Sequence, residues 1–88
     1  MKRPAERYWC VDCEVDTRAC HEYYMVLRAI WQAFGVGRGM LCLGCLERRL
    51  GRFLTPADFD HGLPVNQQMS RFGYTKMSTR LLNRLGYA

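Results

Sequence analysis

Two pairs of cysteines carry the clearest chemistry in the sequence. Cys10 and Cys13 are separated by two residues, and Cys42 and Cys45 repeat that spacing. A gap of two residues lets both thiolates of a pair reach one ion, and two pairs supply the four sulfur ligands of a structural zinc site. A redox pair, a disulfide pairing or chance are the alternatives. The spacing therefore predicts that these four cysteines bind one structural Zn²⁺ ion.

The cysteine count and the start of the chain favour a metal over disulfides. Five cysteines are an odd number, which fits a disulfide framework poorly. Residues 1–7 are charged and lack the apolar run of a signal peptide, and no stretch approaches the ~18 apolar residues that a membrane span needs. We therefore expect a cytoplasmic protein with no membrane association, in a reducing compartment where paired cysteines bind metals.

Three further residues could take part in metal chemistry. Cys20 and His21 lie between the two pairs and could replace a ligand, or they are a spare thiol and a surface imidazole. The second interpretation is favoured, because four paired thiolates already complete a tetrahedral site. His61 follows Asp60 beyond the helix predicted after Cys45, and the sequence leaves its role open.

The length of the chain indicates why a metal is needed. A chain of 88 residues buries only about 60% of the surface that its unfolded form exposes, so its core is marginal. A structural zinc stabilises small zinc peptides by about 10 kcal/mol at neutral pH. The composition, 49% hydrophobic and 12% aromatic, is that of a folded protein. These properties predict a single small domain stabilised by its metal.

Hydrophobic spacing predicts two helices around the cysteine pairs. Residues 27–34 have apolar side chains at i, i+3, i+4 and i+7, which predicts a helix ending at Gly35. Its apolar face is interpreted as core, with a binding groove as the alternative. A second helix is predicted after Cys45 and extends to Leu54, with its leucines facing inward. The second pair then lies at a helix N-terminus, where backbone N–H groups stabilise thiolate charge.

Weaker signals predict the remaining elements. Residues 8–13 are typical of a short strand that enters a zinc knuckle, and residues 23–27 are β-prone. Thr55, followed by proline, predicts the start of a short helical turn. Residues 77–85 have the spacing of an amphipathic helix, with Ser78 as a candidate N-cap.

The predicted organisation is a small α+β zinc-bound domain with extra helices. Residues 1–7 are expected to form a flexible basic N-terminus, and residues 8–60 the four-cysteine zinc domain. Residues 61–76 are interpreted as a connecting loop that leads to a C-terminal helix at residues 77–86. This helix either docks on the zinc domain or serves as a partner-binding arm, and docking is the favoured interpretation.

The order of a knuckle, a β-prone insert and a second pair entering a helix resembles the treble-clef zinc fold. The insert of 28 residues is long for a four-cysteine site, so the helix at 27–34 is expected within it. Residues 8–13, 22–26 and 40–59 also resemble small uncharacterised zinc-ribbon-like proteins of bacteria and their phages. This resemblance covers most of residues 8–60 and implies a provenance, but no activity.

The charge of the chain permits two classes of partner. The formal net charge is +5, with eleven arginines and only two lysines. Four thiolates and one Zn²⁺ together contribute −2, which leaves about +3 for the metal-bound form. Such an excess is compatible with a nucleic acid or an acidic protein surface. The candidate partner-binding residues are the cations on the two later helices: Arg48, Arg49, Arg52, Lys76 and Arg80.

The favoured function is a non-enzymatic, zinc-stabilised binding module. It would act as a protein-binding adaptor or inhibitor of phage or mobile-element type, because arginines and aromatic residues are typical of interfaces. The alternative is a nucleic-acid-binding zinc finger that uses the Arg48, Arg49 and Arg52 cluster. An HNH-like nuclease is less favoured, because the helix after Cys45 offers no histidine or asparagine. No catalytic residue is predicted, and the sequence carries no signal for an oligomeric state.

Overall fold

Three short helices, one two-stranded antiparallel sheet and long irregular segments form a computed structural model that describes residues 8–87. The α-helices and strands in chain order are α1 (Arg28–Phe34), α2 (Leu43–Leu50), β1 (Met69–Ser70), β2 (Gly73–Tyr74) and α3 (Thr79–Leu85). Two short 3-10 helices, Pro56–Asp58 and Pro64–Asn66, lie between α2 and β1, and Thr55 is the N-cap of the first, as predicted. This content confirms the small α+β class expected from the sequence. The N-terminus expected to be flexible, residues 1–7, lies outside the described residues.

Helix α2 begins at the second cysteine pair and ends earlier than predicted. Cys42 is its N-cap, which confirms that this pair lies at a helix start. The prediction that the helix extends to Leu54 is wrong, because Gly51 has a φ of 76° and adopts the left-handed conformation that ends many helices. The chain turns there, and Phe53, which follows the turn, is 71% exposed.

Helix α1 lies at the edge of the core. It begins at Arg28, one residue after the predicted start, and none of its side chains is fully buried. Ile30 and Trp31 pack against the core, whereas Leu27 and Phe34 are each 41% exposed. The interpretation of this apolar face as core is therefore wrong for its two ends. Because α1 has only seven residues and lies at the edge of the core, only its central residues contact the core.

The strands predicted in the first half of the chain are reduced to isolated bridges. Residue pairs Trp9–Asp16 and Val26–Phe59 are antiparallel bridges, and Cys10–Met40 is a parallel one. Backbone turns interrupt any longer pairing: Glu14 and His21 both have positive φ values, 67° and 60°. The buried side chains around these bridges form one core with α2 and α3. Its fully covered members include Tyr24, Leu41, Leu43, Leu46 and Leu81.

Helix α3 packs against this core from the C-terminal side. Leu81 and Leu85 are buried, and the Ser78 hydroxyl accepts a hydrogen bond from the Leu81 N–H at 3.0 Å, as expected of an N-cap. The Ser78 N–H donates to the His21 carbonyl at 2.9 Å. This bond ties the start of α3 to the insert between the two cysteine pairs.

The region interpreted as a connecting loop contains the only sheet found in residues 8–87. Met69 pairs with Tyr74, and Gly73 adopts a φ of 107° at the turn. Just before it, the buried Asn66 side chain accepts a hydrogen bond from the Met25 N–H at 2.9 Å and donates one to the Met25 carbonyl. These two bonds hold the extended segment 23–27 in place.

Candidate functional site

The four paired cysteines converge on one point. The sulfur atoms of Cys10, Cys13, Cys42 and Cys45 all lie within 4.8 Å of one another, and Cys13 Sγ and Cys42 Sγ are 3.7 Å apart. Four sulfurs at ~2.3 Å from a tetrahedral ion are separated by ~3.8 Å. The arrangement can therefore hold one metal ion, with two ligands from each pair.

The first pair is positioned by a tight backbone turn. The Glu14 N–H donates to the Cys10 carbonyl at 2.8 Å, and Glu14 adopts the left-handed conformation that closes the turn. The Val11 N–H donates to the Met40 carbonyl at 2.8 Å. This bond places the first pair beside the segment that leads directly to Cys42.

The second pair is positioned by the first turn of α2. The Leu46 N–H donates to the Cys42 carbonyl at 3.1 Å, so the helical turn begins at a cysteine that is also a candidate ligand. Leu43 and Leu46 are fully buried and fix the helix against the core. Three of the four cysteines are buried, and Cys13 is exposed. The cluster is therefore enclosed by protein except at Cys13.

The electrostatics of the cluster favour a bound cation. Burial acts to raise the pKa of Cys10, but hydrogen bonds from backbone N–H groups outweigh it and lower the pKa to about 7. Burial raises the pKa of Cys42, although hydrogen bonds from the backbone and thiol of Cys45 act against it. Burial also raises the pKa of Cys45, and its hydrogen bonds with the neighbouring thiols raise it further. Crowding therefore opposes the ionisation of all four thiols together. A divalent cation among them would reverse this effect, because it stabilises each thiolate.

The other residues with possible metal chemistry lie outside the cluster. Cys20 Sγ donates to the Thr17 carbonyl at 3.7 Å, and burial raises the pKa of this thiol. His21 is exposed. His61 Nε2 lies 2.7 Å from the Pro56 carbonyl. Among residues 8–87, the group able to hold a metal contains only the four paired cysteines.

Two of the candidate partner-binding arginines form ion pairs on the α2 side. Arg49 donates through Nε and Nη2 to both carboxylate oxygens of Asp12, at 2.9 and 2.8 Å. Its Nη1 also donates to the Phe34 carbonyl at 3.3 Å, at the end of α1. Arg52 makes a forked contact with Asp58 at 2.8 and 3.0 Å. That contact lowers the pKa of Asp58 to about 2.

Helix α3 is tied to the segments around the cysteine cluster by two more ion pairs. Arg80 donates to both carboxylate oxygens of Glu22, at 2.6 and 2.9 Å. Burial opposes ionisation of Glu22, but the hydrogen bonds from Arg80 and Ser78 outweigh it and lower the pKa of this carboxyl. Arg84 Nε donates to Glu47 at 2.7 Å, and the same carboxylate oxygen accepts the Leu54 N–H at 2.7 Å.

The structure brings together only part of the predicted cationic set. Arg48, Arg52 and Arg80 line one shallow groove of about 540 Å³ between α2 and α3, together with Arg84. Lys76 lies away from them, beside a separate hollow. Arg48 forms no salt bridge with any residue in the described part of the chain. Sequence reasoning missed Glu22 and Glu47, the buried acids that hold Arg80 and Arg84.

A second concave surface was not recognised from the sequence as a site. It is a cavity of about 420 Å³, here called the apolar groove. Its lining residues are Tyr23, Tyr24, Met25, Val26, Leu27, Arg28, Trp31, Gln32, Gly39, Met40, Asp60 and Leu63. Met25, Leu27 and Leu63 are each about 40% exposed. The helical spacing of residues 27–34 was the one signal for this groove.

Comparisons with known proteins found no match. No model of a protein family, no curated protein and no solved structure matches the chain. Among residues 8–87, no helix is both long and apolar enough to cross a membrane. The cysteine cluster and the two grooves are therefore the features of residues 8–87 from which we infer a function.

Proposed function

We propose that the protein is a non-enzymatic, zinc-stabilised module that binds another protein. The observation that carries this proposal is the apolar groove, which stays open beside a core held by the cysteine cluster. Soluble proteins rarely leave a contiguous apolar surface without a use for it. The role is that of an adaptor or inhibitor, of the phage or mobile-element type that the sequence resemblance implies.

The cluster supports zinc as the metal and a treble clef as the fold. Four thiolates in a tetrahedral set favour zinc over magnesium or calcium, which prefer oxygen ligands. A knuckle supplies Cys10 and Cys13, and the first turn of a helix supplies Cys45 after its N-cap Cys42. That division of ligands is the arrangement expected of a treble clef. Thiolate ligation also fits the reducing cytoplasm.

The same cluster argues against catalysis. Four protein ligands fill a tetrahedral zinc site and leave no position for water or substrate, which a catalytic zinc requires. The His61 ring lies against the Pro56 carbonyl, and His21 is exposed on a tight turn. Neither histidine faces the cysteine cluster, so neither makes the constellation of an HNH-like nuclease.

The ion pairs favour protein over nucleic acid as the partner. Residues 8–87 contain ten lysines and arginines and seven acids, a net charge of +3 that bound zinc reduces to about +1. Four of the ten cations are paired with carboxylates. Three of them, Arg49, Arg52 and Arg80, belong to the set predicted to bind a partner. A phosphate would have to displace a carboxylate to reach them, whereas the apolar groove needs no such exchange.

Affinity capture from a bacterial lysate, with and without nuclease treatment, tests this proposal. The bait is the full zinc-loaded chain, and two variants are compared with it: Leu27→Asp and Phe34→Asp. Both side chains are 41% exposed at the ends of α1, but only Leu27 lines the apolar groove. We expect a stoichiometric protein that resists nuclease, binds the Phe34→Asp variant and is lost with the Leu27→Asp variant.

Two other outcomes would overturn the proposal. Capture that disappears with nuclease would favour the nucleic-acid alternative, for which Arg48→Gln should then weaken binding and flatten its salt dependence. Equal loss of the partner with both variants would show that the apolar groove is not the contact surface. Circular dichroism and zinc content of each variant establish that the compared baits are folded.

A further inference from the structure

The hollow beside Lys76 is a basic surface that the proposed function does not use. It encloses about 260 Å³ between the turn at residues 17–22 and the segment that leaves strand β2. Its basic side chains come from both segments, are exposed, and belong to Arg18, His21 and Lys76. The hollow is therefore open to solvent and is formed by two parts of the chain that are distant in sequence.

Hydrogen bonds fix these two segments against each other. The Asp16 carboxylate accepts the Arg18 N–H at 2.9 Å and so closes the turn that carries Arg18. The Ser78 N–H donates to the His21 carbonyl at 2.9 Å, two residues after Lys76. The backbone around the hollow is therefore in place before any ligand binds, which lowers the entropic cost of binding.

Two tyrosine rings form one wall of the hollow and orient Arg18. The guanidinium carbon of Arg18 lies 4.6 Å from the centre of the Tyr8 ring, which is a cation–π contact. The Tyr8 and Tyr23 rings meet edge to face, with their centres 5.3 Å apart. An aromatic ring holds a guanidinium without neutralising its charge, as a carboxylate would. Arg18 therefore keeps its positive charge at the hollow.

The hollow lacks the acids that neutralise other arginines of this protein. None of the described residues that line it is an acid, and residues 61–88 contain no aspartate or glutamate. By contrast, Arg80 and Arg84 in the groove between α2 and α3 each bind a buried carboxylate. Within residues 8–87, neither Arg18 nor Lys76 forms a salt bridge. An uncompensated pair of cations in a concave site attracts an anion.

The chemistry of the lining residues indicates which anion fits. Arginine makes forked contacts with phosphate oxygens, and lysine adds a point charge. Thr75 supplies a hydroxyl at the same surface, and the half-buried Tyr23 and Val65 supply apolar contact. A phosphate monoester carries a charge of about −1.5 to −2 at pH 7, which matches two cations. A nucleic-acid backbone, with one charge per phosphate, would need an extended row of cations instead.

We propose that this hollow binds the phosphate group of a small phosphate monoester between Arg18 and Lys76. The organic group of the ester packs against Tyr23 and Val65. Among the described lining residues, Tyr23 alone is shared with the apolar groove. The site is therefore additional to the proposed protein-binding surface and does not depend on it.

An NMR titration of the full zinc-loaded chain tests this inference. The probes are phenyl phosphate, inorganic phosphate, phenol and a short single-stranded oligonucleotide without terminal phosphates. They separate the contributions of the monoester, the anion alone, the ring alone and a phosphodiester backbone. The variants are Arg18→Gln and Lys76→Gln, and the matched control is Arg48→Gln. The control removes the same charge from an exposed arginine that lines the other groove.

A specific site predicts saturable binding of phenyl phosphate, with shifted amide signals confined to residues around the hollow. Phenyl phosphate should bind more tightly than inorganic phosphate, and phenol should not bind measurably. Arg18→Gln and Lys76→Gln should each weaken binding about tenfold, because each removes a charge-assisted hydrogen bond. Arg48→Gln should weaken it less than about twofold, because charges on the exposed surface are screened by salt.

Three results would overturn the inference. One is the absence of saturable shifts around the hollow, and another is an equal loss of affinity with Arg48→Gln, which would indicate attraction to the overall charge. The third is an oligonucleotide that binds more tightly than phenyl phosphate through Arg18 and Lys76, which would assign the surface to nucleic acid. Circular dichroism and zinc content establish that each variant is folded, and Lys76→Arg, which keeps the charge, should retain binding. Capture of a partner that depends on Leu27 tests the proposed function separately.

Discussion

The side of this small protein around α2 and α3 differs from the side around α1 in how its charged groups are paired and its apolar groups are covered. Around α2 and α3, buried carboxylates hold arginines, and four cysteines close on one point. Around α1, apolar side chains are exposed, and Arg28 is exposed and forms no salt bridge within residues 8–87. The difference indicates that the α2 side stabilises the fold, and that the α1 side is available for binding. Substitutions on the two sides should therefore have opposite effects on stability and binding.

The largest expected effect is the loss of a cysteine ligand. Cys45→Ser removes one of four thiolates from a buried cluster, and we expect the domain to unfold, because a structural zinc contributes on the order of 10 kcal/mol. Circular dichroism and the dispersion of an NMR spectrum measure the result. Cys20→Ser is the matched control, since Cys20 lies outside the cluster, and it should leave both unchanged. A folded Cys45→Ser protein would show that the cluster does not stabilise the α2 side.

Acidification should weaken the same side next. At fixed free zinc, the unfolded chain binds protons on thiols that the folded, zinc-bound chain keeps ionised. The free energy of unfolding should therefore fall with decreasing pH between 7 and 5, by about 1.4 kcal/mol per pH unit for each thiol. In a pH titration, zinc release measured with a zinc-sensitive dye should coincide with unfolding measured by circular dichroism.

Asp58 provides a contrast in the same titration. Its pKa, lowered to about 2 by Arg52, lies below the usual value of 3.8, so its stabilisation is present above pH ~4 and lost only toward pH 2. Asp58→Asn should lower stability by nearly the same amount at pH 7 and at pH 5. If the loss of stability were markedly smaller at pH 5 than at pH 7, the low pKa assigned to Asp58 would be wrong.

A smaller effect is expected from a buried acid on α2. Glu47→Gln leaves Arg84 without its carboxylate and weakens the bond to the Leu54 N–H, so we expect a loss of about 3 kcal/mol. Urea denaturation of the zinc-loaded protein measures it. Glu14→Gln is the control, because Glu14 is exposed and has no salt bridge within residues 8–87, and it should change stability by less than ~0.5 kcal/mol.

The smallest expected effect on stability is at the ends of α1. Leu27→Asp and Phe34→Asp should each change the free energy of unfolding by less than ~1 kcal/mol, because both residues are 41% exposed and lie at the edge of the core. Only the first should affect partner binding. If Leu27→Asp unfolded the domain, the α1 side would be part of the stabilising core, and the contrast between the two sides would fail.

The sequence predicted those features that depend on local chemistry. The spacing of the cysteines predicted their convergence, Ser78 marked the start of α3, and Thr55 marked a short turn. The signals at Ser78 and Thr55 act within a few residues of chain, and each cysteine pair is a local motif that requires two further ligands from elsewhere. The end of α2 carried a signal of the same kind at Gly51, but the leucine pattern continued past it and favoured a longer helix.

Features that depend on long-range contacts were not predictable. Glu47 lies on a helix directly before two arginines, which is typical of a solvent-facing acid, and its partner Arg84 is 37 residues away. Periodicity placed Leu27 and Phe34 on one helix face, but it carries no information on whether another element covers that face. The strands of the hairpin are two residues each, too short for an alternating pattern.

Native mass spectrometry of the purified chain can show whether one zinc ion bound by four thiolates holds this fold. We expect a compact ion series with one zinc per chain, and we expect both the zinc and the compactness to be lost when a strong chelator is added. The Cys20→Ser variant should retain the zinc. A compact, metal-free chain that stays folded after chelation would show that the fold does not depend on zinc.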